Sequence, residues 1–227
     1  MVEINSKRGE VGFSLMELII AMAITLSVMS MATVLIAGAL HIRSRENQKS
    51  DALADVQRAL NIMSREIANS GFNLNTNGIV DAESDGTRLR LRANLDRFDY
   101  TASTESRDNV QDAGEDVSYF INVAENTNYL ARHDVYAGTK TVLANRLDSF
   151  HIHYFADKVA YTADPKATDI SNASAAEVIP SSAKYIVIAV SVTLDEQGTP
   201  GSPGYQPPFS VLLCSDVTLR NANLWSY

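Results

Sequence analysis

Several features used to classify small proteins are scarce or missing in this sequence. It has one cysteine, Cys214, in 227 residues. That excludes a disulfide within the chain and any zinc site built on cysteines. Cys214 itself reads as a small apolar residue on a strand. Positive charge is in deficit, with 19 Lys and Arg against 27 Asp and Glu, for a net charge of −8. Nucleic-acid binding normally needs a concentrated basic face, so direct binding of DNA or RNA is not expected. There is no GxGxxG, no P-loop and no HExxH, and so no loop built to cradle a phosphate and no helical zinc pair. No GxSxG places a nucleophile, and there is no internal repeat. The expectation is a chain that is not an enzyme and needs no cofactor.

Charge is also missing locally. The 23 residues Leu18–Leu40 carry none, and they contain no proline and one glycine, Gly38. As a helix this run spans roughly 34 Å, against about 30 Å for the hydrocarbon core of a bilayer. A secretory signal has an apolar core of about 7–15 residues followed by a small-residue cleavage site. This run is longer, and no such site follows it. A core helix of a soluble domain would be apolar on one face only, whereas this run is apolar all round. The expectation is a membrane helix over about 15–40. Lys7 and Arg8 precede it and Arg43 and Arg45 follow.

One carboxylate, Glu17, stands at the entrance to that run. A charge deep in a bilayer costs on the order of 2.5–3.5 kcal/mol by insertion scales and usually finds a partner. Its surroundings are specific: Lys7 and Arg8, then Gly12-Phe13-Ser14-Leu15-Met16-Glu17-Leu18. This stretch resembles the type IV prepilin signature, in which a short basic leader ends in Gly, Phe follows, and a Glu stands fifth after the Gly. The resemblance implies that a prepilin peptidase cuts between Gly12 and Phe13, removing residues 1–12 as a leader. It implies that the new amino group of Phe13 is methylated, and that Glu17 pairs with such an amine on a neighbouring subunit during filament assembly. An amine of that kind has a reference pKa near 7.7–8.0 and is a cation at neutral pH. The alternative for Glu17 is that it lies at headgroup depth and snorkels.

After Leu40 the composition changes. Leu53, Val56, Leu60, Met63 and Ile67 fall three and four residues apart, which predicts one apolar stripe on an amphipathic helix. Gly71, after Asn69 and Ser70, is placed to end it. A single helix over 13–70 would be roughly 87 Å long. The stripe is too short for a coiled coil, so packing against the chain's own head is expected.

Residues 71–227 read as one β-rich head. Leu89 and Leu91 alternate with Arg88, Arg90 and Arg92; Val117, Tyr119, Ile121 and Val123 alternate; and Phe150, Ile152 and Tyr154 oppose His151, His153 and Phe155. These are period-2 strand patterns. The arginines are expected on a solvated face or a filament contact. The segment Ala183–Leu194, AKYIVIAVSVTL, is apolar without alternation and predicts a central strand covered on both sides. Residues 162–183 read as a long, mobile loop, and 195–208 as a Pro/Gly-rich hairpin connection. The sequence from Phe209 onward supplies one or two closing strands.

Two clusters invite a metal. His151 and His153 share a strand face, and with His133 or Asp157 they would supply a third ligand; the other reading is an exposed polar face. The acidic stretch Asp81–Gly86 lacks EF-hand spacing and reads as an acidic turn.

The fold class expected is α+β, a long N-terminal helix packed on an antiparallel-sheet head. The order of the head segments resembles PilW-type minor pilins, and J-type minor pseudopilins of type II secretion share much of that layout. Two features of many major pilins are missing, a C-terminal cysteine pair and a proline about twenty residues into the mature helix. The resemblance therefore implies a minor subunit, single-pass in the bacterial inner membrane with its head in the periplasm, later incorporated in a pilus or pseudopilus. Its implied partners are the prepilin peptidase, an inner-membrane assembly platform, other minor and major pilins or pseudopilins, and membrane lipid. A membrane-anchored periplasmic enzyme or metal-binding module is the reading from another class.

Overall fold

The computed structural model describes residues 13–95, 111–124, 127–202 and 204–222. The expected leader and Gly12 lie outside them. The architecture is α+β. One helix, α1 (Leu15–Asn69), is followed by β1 (Arg88–Arg92), β2 (Asp116–Ala124), β3 (Thr127–Asp134), β4 (Thr139–Asn145), β5 (Ser149–Phe155), β6 (Tyr185–Leu194) and β7 (Phe209–Thr218), with two short 3-10 turns at Asp81–Glu83 and Pro180–Ser182. The strands form two antiparallel sheets, β1-β2-β3-β4 and β5-β6-β7.

The chain divides into two compact units. The larger comprises Glu46–Glu196 and the residues from Pro207 onward. In it the rear of α1 buries Ala52, Val56, Ala59, Leu60, Met63 and Ile67 in one apolar cluster with both sheets. The three-four spacing predicts this stripe, with one adjustment. Ala52 and Ala59 are buried while Leu53 is only half-buried, because small residues on the stripe let the helix approach the strands. The helix stops where expected: Gly71 has φ +75°, and a Cβ there would lie 2.5 Å from the Thr76 carbonyl. Only glycine adopts that conformation without strain in so little space.

β6 is the central strand of its sheet and is buried along almost its whole length. Its alternation splits the side chains between two clusters. Ile186, Ile188, Val190 and Val192 face the main core with Phe150 and Ile152. Tyr185 and Val187 face a smaller cluster with Phe155 and Val159, against which Tyr161 and Ile170 pack. The second cover comes from residues 156–184, of which 162–183 read from the sequence as a mobile loop. They are instead held down by many contacts: Thr162 and Ser171 exchange backbone bonds, the Leu212 amide donates to the Pro165 carbonyl at 2.9 Å, and the Val178 amide donates to Tyr154 at 2.9 Å. A two-sided apolar strand needs a second lid, and this polar-looking connection supplies it.

The smaller unit comprises the described residues up to Arg45 together with Gln197–Gln206. Its part of α1 exposes every large apolar side chain from Phe13 to Ile42. Among the described residues of that unit only Gly38 in the apolar run is partly covered.

Candidate functional site

The sequence points to the start of α1 as the site. Phe13 and Ser14 precede the helix, and Leu15 opens it. The Leu18 amide donates to the Ser14 carbonyl at 3.1 Å. Glu17 lies in the first turn and is exposed. It stands three positions after Ser14, with its side chain in solvent. An acid in a first turn interacts favourably with the unpaired N–H groups of the helix start, by about 0.3–1 kcal/mol.

Beyond Glu17 the run ties three of its hydroxyls to its own backbone. The hydroxyls of Thr25, Ser27 and Thr33 donate to the carbonyls of Ala21, Ala23 and Met29, each at 2.8 Å. Such back-bonding hides hydroxyls that water would otherwise have to solvate. The helix is therefore long and apolar enough to cross a bilayer.

In the head, Arg88 and Arg92 of β1 are exposed as expected, and Arg90 between them departs from expectation. Arg90 is nearly buried, and its guanidinium grips Asp116 with Nε at 2.7 Å from Oδ1 and Nη2 at 2.8 Å from Oδ2. Arg92 Nε adds a third bond at 2.9 Å, and Glu83 pairs with Arg90 from the other side. The Asp116 side chain is 0% exposed. Burial alone would raise its pKa, but the bonds from Arg90 and Arg92 outweigh that and hold its carboxyl below the usual range. The arginine row is thus half-internal, paired to an acid 24 and 26 residues away. A second polar link joins helix to sheet. The buried Tyr119 hydroxyl donates to Glu66 on α1, and Arg132 Nε lies 3.0 Å from the same carboxylate.

The histidine pair of β5 meets carboxylates, though not the expected ones. His153 Nε2 lies 2.8 Å from Asp169 and Nδ1 2.7 Å from Glu177. His151 Nδ1 is 3.7 Å from the other Asp169 oxygen. His133 belongs to β3 in the other sheet, and Asp157 is exposed after β5; neither joins the pair. Among the described residues no group of three or more His, Cys, Asp or Glu side chains is placed to hold a metal ion. The acidic stretch is a turn whose carboxylates are engaged by the protein. Asp81 accepts from the Ser181 amide at 2.6 Å, and Asp85 accepts from the Thr87 and Arg88 amides at 2.7 and 2.8 Å. Cys214 is half-buried on β7, and burial, then the charge of Asp169, push its thiol up to about 11. A thiol so shifted is a poor nucleophile.

No family model matches the sequence, and no curated protein or solved structure matches the chain.

Proposed function

We propose that this chain is a minor pilin or pseudopilin, a structural subunit whose work is assembly and not catalysis. The observation that carries the reading is the ordered motif Lys7-Arg8, Gly12-Phe13 and Glu17 directly ahead of a helix that starts at Leu15 and exposes a charge-free apolar run. On this reading a prepilin peptidase removes residues 1–12, the Phe13 amine is methylated, and the helix anchors the chain in the inner membrane with the head in the periplasm. An exposed apolar surface of this length is unsustainable in water. Lipid covers it first, and neighbouring subunits cover it in the filament.

The role proposed for Glu17 goes beyond its dipole contact with the helix start, worth about 0.3–1 kcal/mol. A carboxylate costs on the order of 2.5–3.5 kcal/mol at the centre of a bilayer and less at its boundary, so the pairing rests on the motif: a neighbouring Phe13 ammonium sets the register in which subunits dock. Pilus and type II secretion subunits share this motif, and the J-type pseudopilin reading keeps the same mechanism with a different assembly.

Mass spectrometry of the mature amino terminus tests the reading, with N-methylated Phe13 expected. A chain that retains Met1 in a host with an active prepilin peptidase refutes it. Glu17→Gln is expected to be cleaved normally but to enter filaments poorly; incorporation equal to the parent refutes the pairing.

A further inference from the structure

The connection between β6 and β7 has a property that neither the core nor the proposed assembly role uses. Its turn, Gln197–Gln206, belongs to the same compact unit as the front of α1. It touches that helix at Gly204. Gly204 has φ +85°, and a Cβ built on it would lie 3.2 Å from Gly38 Cα and 3.5 Å from His41 Cβ. Backbone thus rests on backbone, between the turn and the only glycine of the apolar run. No larger residue fits the Gly204 position without moving the turn, since the left-handed conformation and the close approach both exclude it.

The place of contact can be located against a bilayer. A hydrocarbon core of about 30 Å takes about 20 helical residues. A core entered at Leu18, just past Glu17, is left near Ala37 and Gly38. The exposed His41 and Arg43 then fall in the headgroup layer, where basic side chains are at home. The turn resting on Gly38 and His41 is therefore at the same depth as the headgroups. Its composition suits that depth. Residues 198–208 carry no charge and include Tyr205, and tyrosine is enriched where bilayer meets water. Several of its backbone groups are also satisfied internally. Gln197 and Gln206 exchange bonds at 2.9 Å, the Ser202 amide donates to Thr199 at 2.9 Å, and the Tyr205 amide donates to Ser202 at 3.1 Å. Each such bond lowers the cost of leaving bulk water.

We propose that the turn Gln197–Gln206 is a foot that rests in the headgroup layer on the head's side of the membrane, with phospholipid as its partner. The proposal rests on reading the apolar run as a membrane span, and its test separates the two. The full-length chain is placed in phosphatidylcholine vesicles with acyl chains brominated near the headgroup. The single native tryptophan is removed by Trp225→Phe, and a new one is introduced by Tyr205→Trp or, in the span, by Leu26→Trp. Loss of emission on bromination is expected for both chains, with a blue-shifted maximum for the Tyr205→Trp chain in unbrominated vesicles. Adding Gly204→Val to the Tyr205→Trp chain is expected to displace the turn and reduce its quenching. Thr199→Trp, at an exposed position of the same turn, gives the same reading if the Tyr205 replacement fails to fold. Quenching in the Leu26→Trp chain without quenching at the turn overturns the foot and leaves the span. Quenching in neither overturns both.

Discussion

Glu66 is the one acid that ties the helix to the four-stranded sheet by hydrogen bonds to two residues at once, Tyr119 and Arg132, and its removal has a calculable consequence. In Glu66→Ala the Tyr119 hydroxyl, on a residue with no exposed surface, loses its acceptor. Leaving a buried donor unmade costs about 1–3 kcal/mol. Arg132 loses its ion partner as well, but its side chain is 20% exposed, so water recovers part of that and only about 1 kcal/mol more is expected. The sum is about 3 kcal/mol. Tyr119→Phe removes the donor and leaves Glu66 with Arg132 and solvent, so about 1 kcal/mol is expected. Glu66→Gln keeps an acceptor and loses the charge, and falls between the two. The double variant Glu66→Ala, Tyr119→Phe no longer contains the orphan hydroxyl. It should cost less than the two single changes together, by about 1–2 kcal/mol. Urea unfolding of the full chain in detergent, followed by near-ultraviolet circular dichroism, measures all four. A Glu66→Ala chain within about 0.5 kcal/mol of the parent, or an additive double variant, refutes the clasp.

Asp116→Asn is expected to destabilise the same unit by about 1–3 kcal/mol, because the nearly buried Arg90 loses its two-pronged carboxylate and keeps only Glu83 as an ion partner. Since the Asp116 pKa is depressed on folding, its contribution is fully present above the ordinary aspartate value of 3.8 and fades as pH falls through the lower folded value; parent and variant should converge there, and a constant gap would refute the account. For His153, burial lowers the pKa but the bonds to Glu177 and Asp169 raise it further, so the net shift is upward. Its contribution is therefore complete below 6.5 and is lost as pH rises through the folded value. Hydrogen exchange at the amides of Ser171 and Val178, corrected for intrinsic rates, should quicken over that window in the parent and show no such step in His153→Gln.

What the sequence made legible follows the apolar alternation closely. Leu89 and Leu91, Val117 and Tyr119, and Phe150, Ile152 and Tyr154 all point inward as their spacing requires, and the unbroken run of β6 is buried on both faces. The strands β3 and β4 are different. TNYLARHD and TKTVLAN offer no alternation, and their order comes from ladder bonds to β2 and to each other. A strand stabilised by backbone pairing leaves little trace in side-chain hydropathy. Gly138, with φ +65° between them, was the one local sign of a hairpin. The arginine row misled for a related reason: charge alternating with leucine reads as a solvated face, and the acid that draws Arg90 inward, Asp116, is remote in sequence. At the amino terminus the apolar pattern made Glu17 conspicuous, but its place in the first turn depends on where the helix begins, and only the structure gives Leu15 as that point.

The position of β6 has a consequence for the order in which the chain can mature. Tyr185–Ser191 pair on one side with β5, synthesised earlier, and all ten residues pair on the other with β7, synthesised later. Until Thr218 has emerged, one edge of the most apolar strand has no neighbour, and an unpaired edge of that composition attracts other chains. At ten residues it is too short to span a bilayer by itself, so it must wait in water for its last partner. The head of this protein is completed only once its final strand has been synthesised, and any holdase that guards newly made chains has its main target in Tyr185–Leu194.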